Sequence, residues 1–170
     1  ILKGMEEPSD FSCPATQYGK EMEGPARKYF ASLYNSHFGL LHGETRIIER
    51  GNKALLKDYR FGASPDGLIE ILGAAVEGLE IKNPFSKPIP KSVSDLYTTD
   101  GYTGHILQCI LNMEVFNLGV WNLFYYREET QEKAWFRVMR NEEFFDTVLY
   151  PEACRFIDLQ SQPTRVPSNF

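Results

Sequence analysis

The chain has 170 residues, of which 42% are hydrophobic and 14% aromatic, a composition typical of globular proteins and not of disordered ones. The formal net charge of −5 argues against a surface coated in basic residues, although it leaves room for a local basic groove. No apolar run approaches the roughly 18 residues of a membrane helix, and the first residues lack the apolar segment of a signal peptide. The sequence therefore predicts a protein that is neither membrane-spanning nor secreted.

The three cysteines, Cys13, Cys109 and Cys154, are far apart and odd in number. No Cys-x-x-Cys pair is present, so neither a zinc ribbon nor a cysteine-bound iron–sulfur cluster is expected. Reduced and mostly buried thiols are the prediction.

The length fits one domain that spans residues 1–170. Residues 1–17 are rich in Pro, Ser and acidic residues and begin with Ile, which predicts a loop or the remnant of a longer N-terminal segment. From Tyr18 to Tyr34 apolar residues recur at helical spacing, which predicts an amphipathic helix. Pro25 predicts that this helix begins close to Glu23 or kinks there.

The remaining chain alternates between strand and helix patterns. Residues 45–50 predict a short strand and residues 52–64 a loop or a second strand. Residues 67–72 and 76–82 predict a hairpin with its turn at 73–75, followed by a loop and a helix from about Thr103 to Asn117. Two paired strands at 119–126 and 133–140 then precede a closing helix within 141–160, which Pro151 must break or kink. This order predicts a mixed α/β core.

The end of the second hairpin arm carries the candidate site. Side chains alternate across a strand, so Glu80 and Lys82 share one face while Leu79 and Ile81 share the other. The hairpin folds Asp66 back toward this end, which brings two carboxylates and one ammonium group to one edge. Oxygen ligands of this kind suit Mg²⁺, which takes only one or two carboxylates and keeps several waters. Without Asp66, a half-buried strand with a solvated face would be the better explanation of Glu80 and Lys82.

Four segments resemble the PD-(D/E)xK nucleases, and in particular their lambda exonuclease / YqaJ branch. "SPDGL" followed by "GLEIKNP" has the form of the Pro-Asp, Glu-x-Lys signature. "YGKEMEGPARKYF" is similar to the upstream Gly-x-x-x-Glu-x-x-Ala-Arg helix, and "HILQCILNM" to the following helix with its Gln. The segments keep the order of the family and run from about Ala15 to Tyr126. The resemblance implies a restriction-endonuclease-like core, with a central mixed β-sheet flanked by helices.

The resemblance also implies roles for individual residues. Asp66, Glu80 and the carbonyl of Ile81 would bind Mg²⁺, for which Mn²⁺ can substitute, and Glu23 would reach the metal directly or through water. Lys82 would be the catalytic lysine. Further residues assigned by the resemblance or by their neighbouring positions are Gln108 (positioning of the water, the lysine or the scissile phosphate) and Lys87, Lys91, Arg27 and Ser64 (DNA binding).

For the two loop lysines and for Arg27, a purely structural role remains an alternative. Lys87 and Lys91 stand in a proline-stiffened loop after the catalytic strand, where they either contact the DNA backbone or face solvent. Arg27 either contacts phosphate or supports its own helix.

The resemblance implies a Mg²⁺-dependent deoxyribonuclease that degrades double-stranded DNA from 5′ to 3′ in viral or phage recombination or replication. It further implies a homo-oligomer such as a ring trimer, a single-strand annealing protein as partner, and a cytoplasmic location, or a nuclear one for a eukaryotic virus. The seventeen residues before the first helix motif contain no Arg and no Thr-Ala-Ser-like motif to hold a 5′ phosphate. Two alternatives therefore stay open: an endonuclease (resolvase-like, restriction-like or RNA-cleaving), and a non-catalytic DNA-binding protein of the same fold.

Overall fold

The computed structural model describes residues 13–41, 43–98 and 101–160. Its helices are α1 (Pro14–Phe38), α2 (Val93–Thr98), α3 (Tyr102–Phe116), α4 (Glu142–Phe144) and α5 (Tyr150–Gln160). Its strands are β1 (Thr45–Ile48), β2 (Lys53–Leu55), β3 (Asp58–Ala63), β4 (Gly67–Ile71), β5 (Ala74–Lys82), β6 (Val120–Arg127) and β7 (Glu132–Met139).

A five-stranded mixed sheet forms the centre of the fold, in the order β1-β4-β5-β6-β7. Strands β5 and β6 run parallel, and the other neighbouring pairs are antiparallel. A parallel pair needs a long crossover connection, and the segment that contains α2 and α3 supplies it. The central mixed sheet flanked by helices, predicted from the resemblance, is thereby confirmed.

Each face of the sheet is covered by one long helix. On one face, Phe30 of α1 packs against Leu79 and Phe124 in an apolar cluster. On the opposite face, Met113 of α3 packs in a second cluster that includes Trp121. Since side chains alternate across each strand, the even-numbered residues at the end of β5 lie on the α3 face.

Helix α1 is longer than the sequence predicted. It begins at Pro14 and continues through Pro25, so a start near Glu23 is wrong, and residues 14–17 are helical instead of part of a loop. Pro14 lies in the first turn, where its missing N–H group has no intrahelical partner to lose. Pro25 is tolerated because the following face, from Ala26 to Tyr34, is buried on the sheet. The predicted loop at residues 1–12 lies outside the described residues.

Two connections differ from the prediction. The turn between β4 and β5 lies at Leu72 and Gly73, both of which have positive φ angles, instead of at 73–75. Residues 52–64 form both strands of a separate two-stranded sheet, β2 and β3, and α2 was not predicted at all. Helix α2 has only six residues, too few for a helical period to be visible in the sequence.

The helical segment that closes the described chain is irregular, as expected from the presence of Pro151. A π-helical turn, Phe145–Leu149, separates α4 from α5. Pro151 occupies the second position of α5, directly after the π-helical turn, so its missing backbone N–H group coincides with the change in the helical hydrogen-bond pattern.

The three cysteines are all free, but only Cys109 is buried. Cys13 is exposed next to the start of α1, and Cys154 is half-buried, so the prediction of mostly buried thiols is wrong for these two positions. Within the ranges that the structure describes, no helix has the length and apolar character required to cross a bilayer.

Gly78 provides a test of how tightly the sheet packs. A Cβ atom at this position would overlap the indole ring of Trp121, which is fully buried on the neighbouring strand. We expect Gly78→Ala to lower the free energy of unfolding in urea by about 1–3 kcal/mol, the usual cost of an overpacked core. Gly104→Ala is the control: it lies in α3 with no atom near the added Cβ, so it should leave stability unchanged or raise it by about 0.5–1 kcal/mol. Equal stability of both variants would contradict this packing.

Candidate active site

Asp66 lies at the carboxyl end of β5, as predicted. It directly precedes β4, whose first residue, Gly67, pairs with Leu79. The Asp66 Oδ2 atom accepts a hydrogen bond of 2.6 Å from the backbone N–H group of Ile81. The hairpin therefore brings Asp66 next to Glu80 in space, fourteen positions apart in sequence.

Glu80 and Lys82 form an ion pair on the α3 face of the sheet. The Lys82 Nζ atom lies 2.6 Å from Glu80 Oε1. Glu80 is only 1% exposed, so the alternative of a solvated strand face is excluded. A buried carboxylate is tolerated only when it is paired or hydrogen-bonded. Its second oxygen, Oε2, accepts a hydrogen bond of 3.3 Å from Asn112.

Helix α3 contributes two amide side chains to this group. Gln108 Oε1 accepts a hydrogen bond of 3.0 Å from Lys82 Nζ, so the predicted residue does meet the predicted lysine. Asn112, one helical turn later, lies on the same face of α3. Sequence reasoning missed Asn112, although a polar residue four positions after Gln108 within an apolar helix face was a usable signal.

Glu23 approaches the group from α1, on the other side of the sheet. Its carboxylate is paired with Arg27, which also forms an ion pair with Glu49. Burial, followed by the negative charge of Asp66, raises the pKa of Glu23. Glu23 is therefore within electrostatic reach of Asp66, and Arg27 is engaged by two carboxylates of the chain itself.

The negative charges of Asp66 and Glu80 are only partly balanced by the positive charge of Lys82. Burial, and then the charge of Asp66, raise the pKa of Glu80 to about 7, while Lys82 opposes the shift. Burial also raises the pKa of Asp66, despite the hydrogen bond from Ile81. The buried Glu80 carboxyl and the partly buried Asp66 carboxyl, whose charge disfavours ionisation of Glu80, form a setting in which a bound cation is stabilising.

The carboxylates of the site are ligands of the kind that Mg²⁺ uses. Within residues 13–41, 43–98 and 101–160, no three His, Cys, Asp or Glu side chains are grouped closely enough to form a metal cage. Asp66 and Glu80 nevertheless offer two carboxylates beside the backbone of Ile81. That number of protein ligands matches the habit of Mg²⁺ to bind one or two carboxylates and to retain water.

The residues assigned to DNA binding are spread more widely. Lys87 lines a cavity together with Lys82, next to the site. The backbone N–H group of Lys91 donates to Asp95 Oδ2 at 2.7 Å, and its side chain lines a different surface depression. Ser64 is exposed, two residues before Asp66. The DNA contacts of Lys87, Lys91, Arg27 and Ser64 stay predictions.

His105, on α3, also lies near the site and contacts strand β6. Its Nδ1 atom lies 2.7 Å from the hydroxyl oxygen of Tyr125, the strand β6 neighbour of Lys82. Burial, then the charges of Lys82 and Lys87, lower the pKa of His105 to about 4. The imidazole is therefore neutral near pH 7 and adds no positive charge beside Lys82.

Two solved structures with the same fold are of one enzyme, an exonuclease by name. The alkaline exonuclease LHK-Exo from Laribacter hongkongensis is 21% identical, with a TM-score of 0.65, over 94% of this chain and 73% of that protein. The same enzyme in complex with dAMP is 22% identical, with a TM-score of 0.66 and the same coverage. At these identities the likeness establishes the fold.

The sequence itself establishes the family. No curated protein is similar to the chain at a significant level. The profile of the YqaJ-like viral recombinase domain, however, matches residues 2–118, which is more than half of the chain and includes Glu23, Asp66, Glu80, Lys82 and Gln108. The chain therefore belongs to the family of YqaJ-like viral recombinase domains.

Proposed function

We propose that this protein is a Mg²⁺-dependent deoxyribonuclease that hydrolyses phosphodiester bonds of double-stranded DNA from the 5′ end. The observation that carries the proposal is the meeting of Asp66, Glu80, Lys82 and Gln108 at one edge of the sheet. The family and the alkaline exonuclease fold support a nuclease. A DNA-binding protein without catalytic activity would have no chemical need for a buried carboxyl beside a second, partly buried one.

The metal would be held by Asp66, Glu80 and the carbonyl group of Ile81, with Glu23 reaching it directly or through water. When bound, Mg²⁺ or Mn²⁺ lowers the pKa of a coordinated water and offsets the negative charge that develops on the phosphate.

Lys82 has the central role among the residues of the chain itself. Its ammonium group is held between Glu80 Oε1 and Gln108 Oε1, which restricts it to one position. From there it orients the water that attacks the phosphorus atom in line and contacts a phosphate oxygen. Gln108 and Asn112 maintain this position, because they hydrogen-bond Lys82 and Glu80 from the same helix. The products would carry a 5′ phosphate and a 3′ hydroxyl group.

The preference for a DNA end is supported by the family and by the exonuclease name of the structural neighbours. A viral recombinase domain suggests a role in DNA recombination, in which a ring-shaped homo-oligomer and a single-strand annealing protein would be the partners. The alternative is an endonuclease with the same catalytic residues, which cleaves closed circular DNA, whereas an exonuclease does not.

Lys82→Ala tests the catalytic assignment. We expect the rate of cleavage of end-labelled linear DNA with Mg²⁺ to fall by about 10²–10³-fold, the usual cost of removing one group that stabilises the charge of the transition state, while DNA binding is largely kept. Lys53→Ala, on the separate β2–β3 sheet, is the matched control and should cleave like the wild type. EDTA should stop all cleavage. Wild-type cleavage by Lys82→Ala would overturn the mechanism.

A covalently closed circle tests the end preference. An exonuclease should leave a closed duplex circle intact under conditions that degrade the linearised form of the same DNA, and labels at the 5′ and 3′ ends should report the polarity. Linearisation or nicking of the circle would instead identify an endonuclease. An RNA duplex of the same sequence, tested alongside, distinguishes a deoxyribonuclease from an RNA-cleaving relative.

Asp66→Asn tests the metal site through stability. The pKa of Asp66 is higher in the folded than in the unfolded protein, so the folded state loses stability as the pH rises and Asp66 ionises. Removal of the Asp66 charge should therefore raise the melting temperature of the metal-free protein at pH 8. A gain of about 1 kcal/mol corresponds to roughly 2–4 °C, and the gain should be smaller at pH 5, where Glu80 is largely protonated.

The same variant should lose the stabilisation that Mg²⁺ gives the wild type. Glu152→Gln, an exposed carboxylate on α5 paired with Arg155, is the control and should keep it. Full Mg²⁺ stabilisation of Asp66→Asn would show that the metal binds elsewhere.

A further inference from the structure

An exposed aromatic ring stands beside the catalytic strand. Phe85 follows Lys82 by three residues and is 57% exposed. A single exposed Phe is common on protein surfaces and needs no explanation by itself. Its setting, in a loop that is fixed on both sides and next to a cationic cavity, is what distinguishes it.

The loop around Phe85 is held by hydrogen bonds to two other elements, α1 and β6. Asn83 Nδ2 donates to the carbonyl oxygen of Gly19 in α1 at 3.3 Å. Arg127, at the end of β6, donates to the carbonyl oxygen of Pro84 at 3.3 Å and to that of Lys87 at 2.6 Å. The backbone is therefore anchored before and after Phe85, while the ring itself remains largely in solvent.

The orientation of the ring is also constrained. Phe85 contacts Tyr18 of α1 with ring centroids 5.5 Å apart and an angle of 65° between the rings. Tyr18 is in turn fixed by a hydrogen bond of 2.6 Å from its hydroxyl group to Glu129. An edge contact of this kind covers much less of an aromatic surface than stacking does, which leaves apolar surface of a preoriented ring uncovered.

A cavity of about 310 Å³ connects Phe85 to the catalytic lysine. Its wall includes Lys82 and Lys87, and His105 and Tyr125 form part of the same lining. Cations together with an accessible aromatic ring are the combination by which proteins bind single-stranded nucleic acid: the cations attract the phosphates, and the ring stacks on a base of any identity.

We propose that Phe85 is the stacking surface for the base of the nucleotide next to the scissile phosphate, and that the adjoining cavity, with Lys87, receives a phosphate group of that nucleotide. This inference rests on the proposed function. Stacking uses the face of the base and not its edges, so Phe85 accepts the four bases with little preference.

Phe85→Ala and Phe85→Trp test the stacking. We expect Phe85→Ala to raise the KM for linear DNA, and to weaken binding of a short single-stranded oligonucleotide in EDTA, by about 5- to 150-fold, the range for loss of one base–aromatic stack. Phe85→Trp should bind at least as well as the wild type, and kcat should change much less than KM. Phe156→Ala is the matched control, since Phe156 lies on α5 and is 60% exposed. Unchanged binding by Phe85→Ala would overturn the proposal.

Photocrosslinking separates stacking from a structural role. An oligonucleotide with 5-iododeoxyuridine at its terminal position should crosslink to the peptide that contains Phe85 in the wild type, and the yield should fall in Phe85→Ala at equal melting temperature. A crosslink that maps only to other residues would contradict the inference. Absence of both cleavage and DNA binding in the wild-type protein would instead disprove the proposed function, so the two failures are distinguishable.

Discussion

The ion pair between Glu80 and Lys82 is the interaction on which the arrangement of the site depends. Both groups lie on the sheet face that α3 covers, and the Glu80 carboxylate is almost completely removed from water. A charge in this position is tolerable only with a partner and with hydrogen bonds to its remaining lone pairs. Lys82 and Asn112 each donate a hydrogen bond to one of the two Glu80 oxygens. The Glu80 carboxylate therefore links the end of β5 to the face of α3 that covers it.

The order of the strands explains why a helix lies over this carboxylate. Strands β5 and β6 are parallel neighbours, so the chain must return along the sheet between them, and α3 is the main element of that return. The crossover places Gln108 and Asn112 above the end of β5. Asp66 reaches the same point by a different route, through the antiparallel β4–β5 hairpin. Two kinds of strand pairing on the two sides of β5 thus bring one group of side chains together.

The net charge of −5 and a polyanionic substrate are compatible because charge is distributed locally. Carboxylates at the site concentrate where a cation would bind, and the surface toward the loop after β5 presents Lys82 and Lys87 instead. Asn83 and Pro84 end the strand at this boundary. Arg127 fixes the following loop through backbone carbonyl groups, and the Asn83 side chain adds a hydrogen bond to α1, so the rim of the cavity is ordered.

Most of the elements could be predicted from the sequence, because their cause is local. The alternation in 76–82 and the helical period after Thr103 appear in the chain itself, as does the effect of Pro151. Where several local signals competed, prediction failed: Pro25 suggested a helix start, yet the burial of Ala26 and Phe30 on the sheet outweighed one missing hydrogen bond. Helix α2 was too short to leave a period.

For the site, the sequence by itself determined two things. Glu80 and Lys82 lie on the same face of their strand, and Asp66 belongs to the same hairpin. The sequence determined both because the alternation of side chains along a strand and the pairing of two consecutive strands in a hairpin follow from residues close together in the chain. Only the tertiary structure decided that the Glu80 face is buried, that Asn112 completes its hydrogen bonds, and that Arg127 holds the loop of Phe85. These contacts join residues about 30 to 40 positions apart, and their formation depends on how the crossover packs on the sheet, which no local pattern specifies.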